Sequence, residues 1–340
     1  MLKILLAGLG VRGRYWAEVI NRSDRAETIA YVDPNPDMLD RAKHEFGERP
    51  TFDNVEQALD SFTDVDAVVL ANPPIGREKI VRLTVDRKLP MLIEKPLALD
   101  LSEANHLVNI AESAGVSLMV GLNFRYLGVT IATMKLLAEN TIGKPEFARF
   151  TYERWRDGRR PDLNKYPLTM EHPMLWEQSI HHFDLMRYVY GQDPISVQCH
   201  TWNPSWSMYD DHTNVSTIFQ FNGGMTVNYQ GTWQSNSAIP SFEWRTDCTK
   251  GIITQRDQFG DLYYAQRDDE TLTPVALPHH ERWISETTGL LNAFLDHVLD
   301  GQPLQCSGRD HLMSLAMLEA CIQSSRHRTT INILDVLPTG

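Results

Sequence analysis

The sequence predicts an α/β protein in two parts. A doubly wound parallel sheet is followed by an α+β part with a large, mostly antiparallel open sheet. Three observations predict it. Short apolar runs alternate with helical patterns from residue 3 to about residue 122, and a glycine-rich turn follows the first run. After about residue 143 the runs lengthen and alternate apolar with polar residues.

KILLAG (3–8) is continuously apolar, as a parallel strand buried on both faces should be, and a helix from about Val11 to Asn21 follows it. ETIAYVD (27–33), DAVVLA (66–71), LPMLIEK (89–95) and SLMVGL (117–122) repeat the strand pattern. Among the intervening helices, SEANHLVNIAESAG (102–115) has Ser102 as N-cap and Gly115 as stop. The second part opens on EFARFTYERW (146–155) and continues through SVQCHTW (196–202), VSTIFQF (215–221), MTVNYQGTW (225–233) and FEWRTDC (242–248). Gly223-Gly224 marks a hairpin. A helix from about Met170 to Tyr190 interrupts these strands, and two more close the chain near 285–300 and 308–326. The expected domains are residues 1–122, binding a cofactor, and 123–340, binding substrate and a second copy, with the terminal helices free to pack back on the first domain.

At 340 residues two domains are the natural expectation. A formal net charge of -12 argues against a nucleic-acid partner, which needs a basic surface for phosphates. Cys199, Cys248, Cys306 and Cys321 show no CxxC pair and no His partner at metal spacing. No metal is therefore expected, and free thiols in a reducing compartment are. The N-terminal apolar run is broken by glycines and lacks a cleavage site, and no run is long enough to cross a bilayer, so a cytoplasmic protein without a membrane partner is expected.

Gly8, Gly10 and Gly13 form GLGVRG between the first strand and the helix opening at Val11. That context makes GxGxxG a dinucleotide fingerprint: a tight turn, an open backbone for pyrophosphate, and close packing of helix on strand. Asp33 ends the second strand, where its carboxylate can accept from a ribose hydroxyl pair and repel a 2′-phosphate. NAD is therefore favoured, with NADP as the alternative. Arg12 is a candidate for the pyrophosphate or for a 2′-phosphate. ANPP (71–74) and IEKP (93–96) lie at strand ends on the same edge, which puts Asn72, Pro73, Glu94 and Lys95 where a nicotinamide should lie. A lysine there can hold a substrate oxygen and stabilise the alkoxide.

Together, GLGVRG, VDPNP, ANPP, IEKPLALDLSEA (93–104), GLNFRY (121–126), LWEQSIHHFDLMRYVYG (175–191) and CSGRDHLMSLAMLEA (306–320) resemble the glucose–fructose oxidoreductase / inositol dehydrogenase / MocA (Gfo/Idh/MocA) family over nearly the whole chain. The resemblance implies a Rossmann domain, a C-terminal domain whose open sheet serves oligomerisation, and hydride transfer between NAD(P) and a sugar, inositol or related polyol. It implies that Lys95 is the catalytic lysine. The pattern Asp-x-Gly-x-His-x-x-Asp falls on Glu177, Ser179, His181 and Asp184, which makes His181 the acid/base. Glu177 and Ser179 depart from the commonest Asp and Gly.

Helical phase makes the same choice between the two histidines. Residues four apart share a face, so Glu177 lies under His181 with Asp184 nearby, and His182 turns about 100° away onto Gln178. A carboxylate beside an imidazole fixes its orientation, which suits a base. Arg125, Trp155 and His182 are candidates for shaping the substrate pocket, and the aromatic pieces 151–160 and 201–209 offer stacking faces for a sugar ring. An NAD-dependent glycosidase using transient oxidation is the alternative activity, and a cofactor-binding sensor without turnover is the third. One-sided apolar strands in the second sheet predict a homodimer or homotetramer.

Overall fold

The computed structural model describes residues 1–338. The chain divides into two compact units, Met1–Asn123 with Glu281–Leu312, and Phe124–His280 with the segment from Met313 onward. The first unit alternates β1 (Leu2–Ala7), α1 (Val11–Asn21), β2 (Ala26–Val32), α2 (Pro36–Phe46), β3 (Thr51–Phe52), α3 (Val55–Ser61), β4 (Ala67–Leu70), α4 (Arg77–Asp86), β5 (Met91–Glu94), α5 (Leu101–Ser113) and β6 (Leu118–Gly121). Its strands form one parallel sheet in the order β3-β2-β1-β4-β5-β6. β4, β5 and β6 are buried at every position, as expected of strands covered by helices on both faces. The strand order reverses beside β1, so the carboxyl ends of β1 and β4 flank the crevice where doubly wound sheets take their ligands.

One helix start differs from the expectation. The cap of α5 is Asp100, whose side chain accepts from the Glu103 amide, and Ser102 lies inside the helix. Both residues can cap a helix; the chain leaves extended geometry at Asp100, and that decides between them.

The second unit contains α6 (Gly128–Ala138), β7 (Pro145–Glu153), α7 (Ile180–Tyr190), β8 (Pro194–Trp202), β9 (Asn214–Phe221), β10 (Thr226–Thr232), β11 (Ser241–Cys248), β12 (Gly251–Asp257), β13 (Gly260–Gln266), β14 (Thr273–Pro274) and β15 (Ile331–Asn332). Its nine-stranded sheet runs β14-β13-β12-β11-β7-β10-β9-β8-β15 and is antiparallel except where β10 pairs with β7. The β9–β10 hairpin turns at Gly223, whose φ of +78° favours glycine. Phe183 of α7 meets Phe219 edge to face, and Tyr190 meets Trp244 likewise, so α7 packs on the inner sheet face. α8 (Ser285–Asp300) belongs to the first unit, and α9 (Gly308–His327) begins there and ends in the second.

The segment expected to be helix from Met170 to Tyr190 is not uniform. Leu175–Ser179 forms a wide π-helical turn, and regular α-helix starts only at Ile180. Glu177 therefore lies in a turn of different pitch from His181, so a uniform helical phase does not relate the two. The four cysteines are unbridged, and no helix among the described residues is long and apolar enough to cross a membrane.

Candidate active site

Two glycines of GLGVRG are sterically required, and the third stands in open space. Gly8 has φ +88°, and a Cβ there would lie 2.5 Å from the Asn72 amide nitrogen. A Cβ on Gly13 would lie 1.8 Å from the Gly8 carbonyl oxygen, so α1 seats on β1 only with glycine in place. A Cβ on Gly10 would meet nothing within 4 Å, which leaves its backbone open to a ligand, and Val11 beside it is exposed.

Asp33 accepts from the Leu9 amide at 2.7 Å through one oxygen and from the Asn35 amide at 2.9 Å through the other. Both oxygens keep a lone pair for a diol. The Asn72 side-chain oxygen is buried with no hydrogen-bond partner among the described residues. An open Gly10, an anchored carboxylate and an orphaned buried acceptor together fit a dinucleotide; Asp33, Asn72 and the GLGVRG backbone would hold it.

Arg12 reaches a protein partner. Its guanidinium pairs with Glu94 at 2.8 Å, and the Trp16 indole donates to the same carboxylate oxygen at 2.8 Å. A buried carboxylate needs such partners, so Arg12 and Glu94 pair with each other, while Arg12 Nη1 is buried with no hydrogen-bond partner among the described residues.

The sequence reading missed Arg77. It is 1% exposed and its guanidinium donates to the carbonyls of Glu94 (2.8 Å), Pro96 (2.5 Å), Leu97 (3.1 Å) and Asn72 (2.6 Å). It thereby ties the ends of β4 and β5 together and holds the carbonyls of the residues on either side of Lys95, which is joined to Pro96 by a cis bond. Pro73 lies exposed next to Asn72. Arg77 lies three residues beyond ANPP in the sequence, but nothing in an exposed-looking IGREK marks it as buried.

In the second unit the two histidines part company. His181 stacks on Phe124 with ring centroids 4.2 Å apart. His182 is fully buried and its nitrogens are both used. Tyr152 donates to the Gln178 oxygen, which leaves the Gln178 amide to donate to His182 Nε2 at 3.1 Å. Nδ1 then donates to the Tyr229 hydroxyl at 2.9 Å, and Tyr229 donates to Ser179. Burial pushes the His182 pKa down to about 3. The expected contact with Gln178 is present, but the expectation of His182 in a substrate pocket is corrected: it is a neutral core residue.

Arg125 is corrected in the same way. It grips Asp184 through two hydrogen bonds of 2.7 and 2.5 Å and lies over the Tyr188 ring, in the buried interior. Ser314 also donates to Asp184, so this carboxylate serves Arg125 and α9 as well as its own helix. Glu177 accepts from the Tyr166 hydroxyl at 2.5 Å, a partner no local pattern indicated. Trp155 and Trp206 are 46% and 54% exposed, and Trp206 also donates its indole N–H to the Gln234 carbonyl. Lys95 thus belongs to the first unit, and Glu177 and His181 to the second.

Residues 2–122 match the oxidoreductase family with an NAD-binding Rossmann fold, and residues 131–254 match the GFO/IDH/MocA C-terminal domain. The chain belongs to the Gfo/Idh/MocA family. Among curated Gfo/Idh/MocA relatives, it is 24% identical to the inositol 2-dehydrogenase of Rhizobium meliloti, covering 96% of this chain and 98% of that one. It is 26% identical to the D-apiose dehydrogenase of Paraburkholderia graminis, covering 96% and 88%. An oxidoreductase from Agrobacterium radiobacter, solved with NAD+, L-tartaric acid and magnesium, shares the fold with a TM-score of 0.89 at 22% identity, covering 99% of both chains. This Gfo/Idh/MocA protein is an NAD-binding dehydrogenase-type enzyme.

Replacing Arg77 by Met strips the donor from four inward carbonyls and should cost about 2–4 kcal/mol in urea unfolding, with Lys failing to restore the loss because it lacks the guanidinium fork. His182 gives a pH signature. Between its ordinary value of 6.5 and about 3, the unfolded chain binds a proton at this ring that the folded protein does not. Stability should therefore fall as pH drops through that window, by up to about 1.4 kcal/mol per pH unit. His182→Gln should flatten this dependence, measured by denaturant melts at several pH values; an unchanged slope would show that the ring already titrates in the folded state.

Proposed function

We propose that the protein is an NAD-dependent dehydrogenase acting on a secondary alcohol of a sugar, an inositol or a related polyol. The observation that carries the reading is the Arg77 clamp on the carbonyls of Glu94 and Pro96, which holds Lys95 rigidly at a strand end. NAD is preferred to NADP because Asp33, anchored by two backbone amides, would face a 2′-phosphate with its negative charge.

When bound, the nicotinamide supplies the hydride acceptor. Lys95 donates a hydrogen bond to the substrate oxygen and stabilises the negative charge that develops there. His181, oriented by its stack on Phe124, takes the hydroxyl proton. Glu177, itself held by Tyr166, orients the histidine or binds a neighbouring hydroxyl. Trp155 offers its exposed face to the apolar side of a sugar ring. Arg125 and His182 act from behind, keeping α7 in place.

Lys95→Ala and His181→Ala should each lower kcat by about 100-fold or more while the NAD dissociation constant stays near normal. The assay is a spectrophotometric screen of NAD and NADP against inositols, monosaccharides, disaccharides and sugar acids. Unchanged turnover in either variant removes that residue from the mechanism, and release of an aglycone without net NADH would identify the glycosidase instead.

We also propose that a second copy covers the outer face of the second sheet, where Phe147 and Ile218 are 55% and 43% exposed. Light scattering at micromolar concentration should give a dimer or tetramer; a monomeric mass would overturn this.

A further inference from the structure

A cluster in the second unit belongs to none of this chemistry. His172, Asp211 and His212 each bring a ligand-capable atom to within 4.8 Å of the others. We propose that these three residues bind a divalent transition-metal ion of the zinc type. The proposal is independent of the hydride-transfer reading.

The donors suit that class of ion. Two imidazoles and one carboxylate are ligands for zinc and its first-row neighbours, whereas calcium and magnesium prefer oxygen alone. Donors about 2 Å from a tetrahedral ion lie roughly 3.3 Å apart, so modest side-chain rotations would close the present spread. Three protein ligands leave a fourth position for water.

His172 is 8% exposed, and its Nδ1 is buried with no hydrogen-bond partner among the described residues. A histidine packed only for structure would have that nitrogen satisfied, as both nitrogens of His182 are. The backbone at His172 has φ +47°, a conformation an L-residue adopts at a cost, and it brings the ring to within 5.1 Å of the His212 ring at 70°.

The remaining two ligands are prepared in different ways. His212 Nδ1 bonds the Thr201 hydroxyl at 2.7 Å, and Thr201 bonds Ser325 at 2.9 Å. With Nδ1 donating to Thr201, the ring is held and Nε2 is left as the ligand atom. Asp211 accepts from the His212 amide through one oxygen and keeps the other. The side chains of His212 and Asp211 are 40% and 28% exposed, which gives an ion a way in.

The test uses the full chain, stripped with a chelator and titrated with Co2+ and Zn2+. Cobalt should give a saturable visible spectrum without thiolate charge transfer, and zinc should compete for the same site and raise the melting temperature. His172→Ala and His212→Ala should each weaken binding by roughly 100-fold, and Thr201→Val by about 10-fold. If His172→Ala fails to fold, Asp211→Asn and His212→Gln, on the exposed side, carry the same expectation, with NAD affinity confirming their fold. Absence of saturable binding to the wild-type chain overturns the proposal. So does binding unchanged in these variants, or a cobalt spectrum showing sulfur ligation.

Discussion

The carboxyl-end edge of the first unit's sheet depends on one buried guanidinium. Strand ends in a parallel sheet leave carbonyls pointing at the ligand crevice without ladder partners, and burying them unpaired is costly. Arg77 answers this with a rigid fork that reaches across the ends of β4 and β5 at once. Because two of its acceptors flank Lys95, the group that satisfies the backbone also fixes where the lysine stands. Next to it, Glu94 is buried between Arg12 and Trp16, which locks the start of α1 against β5. Asp33 closes the set by accepting from the glycine turn itself.

The second unit reaches rigidity by neutral hydrogen bonds as well as by charge. Tyr152, Gln178, His182, Tyr229 and Ser179 form a chain of neutral side chains linked by hydrogen bonds. Ser179, where the family more often has glycine, has a partner for its hydroxyl in Tyr229. The charged pair of Arg125 with Asp184 anchors α7 from another side, and Arg187 extends it through Ser314 to α9. His181 is the residue of this helix for which the scaffold has a different arrangement, a stack on Phe124.

Much of this was legible in the residues. The glycine spacing, the apolar strands and the acid at the end of β2 are local patterns, and the structure reproduces each of them. The exchange of roles among charged residues was not. Arg12, Glu94, Arg125 and His182 all looked like ligand contacts because they lie in functional motifs, and each bonds a protein partner between 4 and 82 residues away. Tyr166 at Glu177 and Thr201 at His212 are of the same kind.

The sequence alone determined the alternation of strands and helices and the glycine turn between β1 and α1, because periodicity and steric demand act between near neighbours. Only the tertiary structure decided which polar groups are consumed by burial and which are left for a ligand. It turned the pair His181-His182 into one stacked ring and one neutral core ring. It introduced a wide turn at Glu177, and it brought His172 beside Asp211 and His212. Desolvation is the reason: a buried polar atom must find a partner wherever the fold supplies one, and that distance in space is not written in sequence spacing.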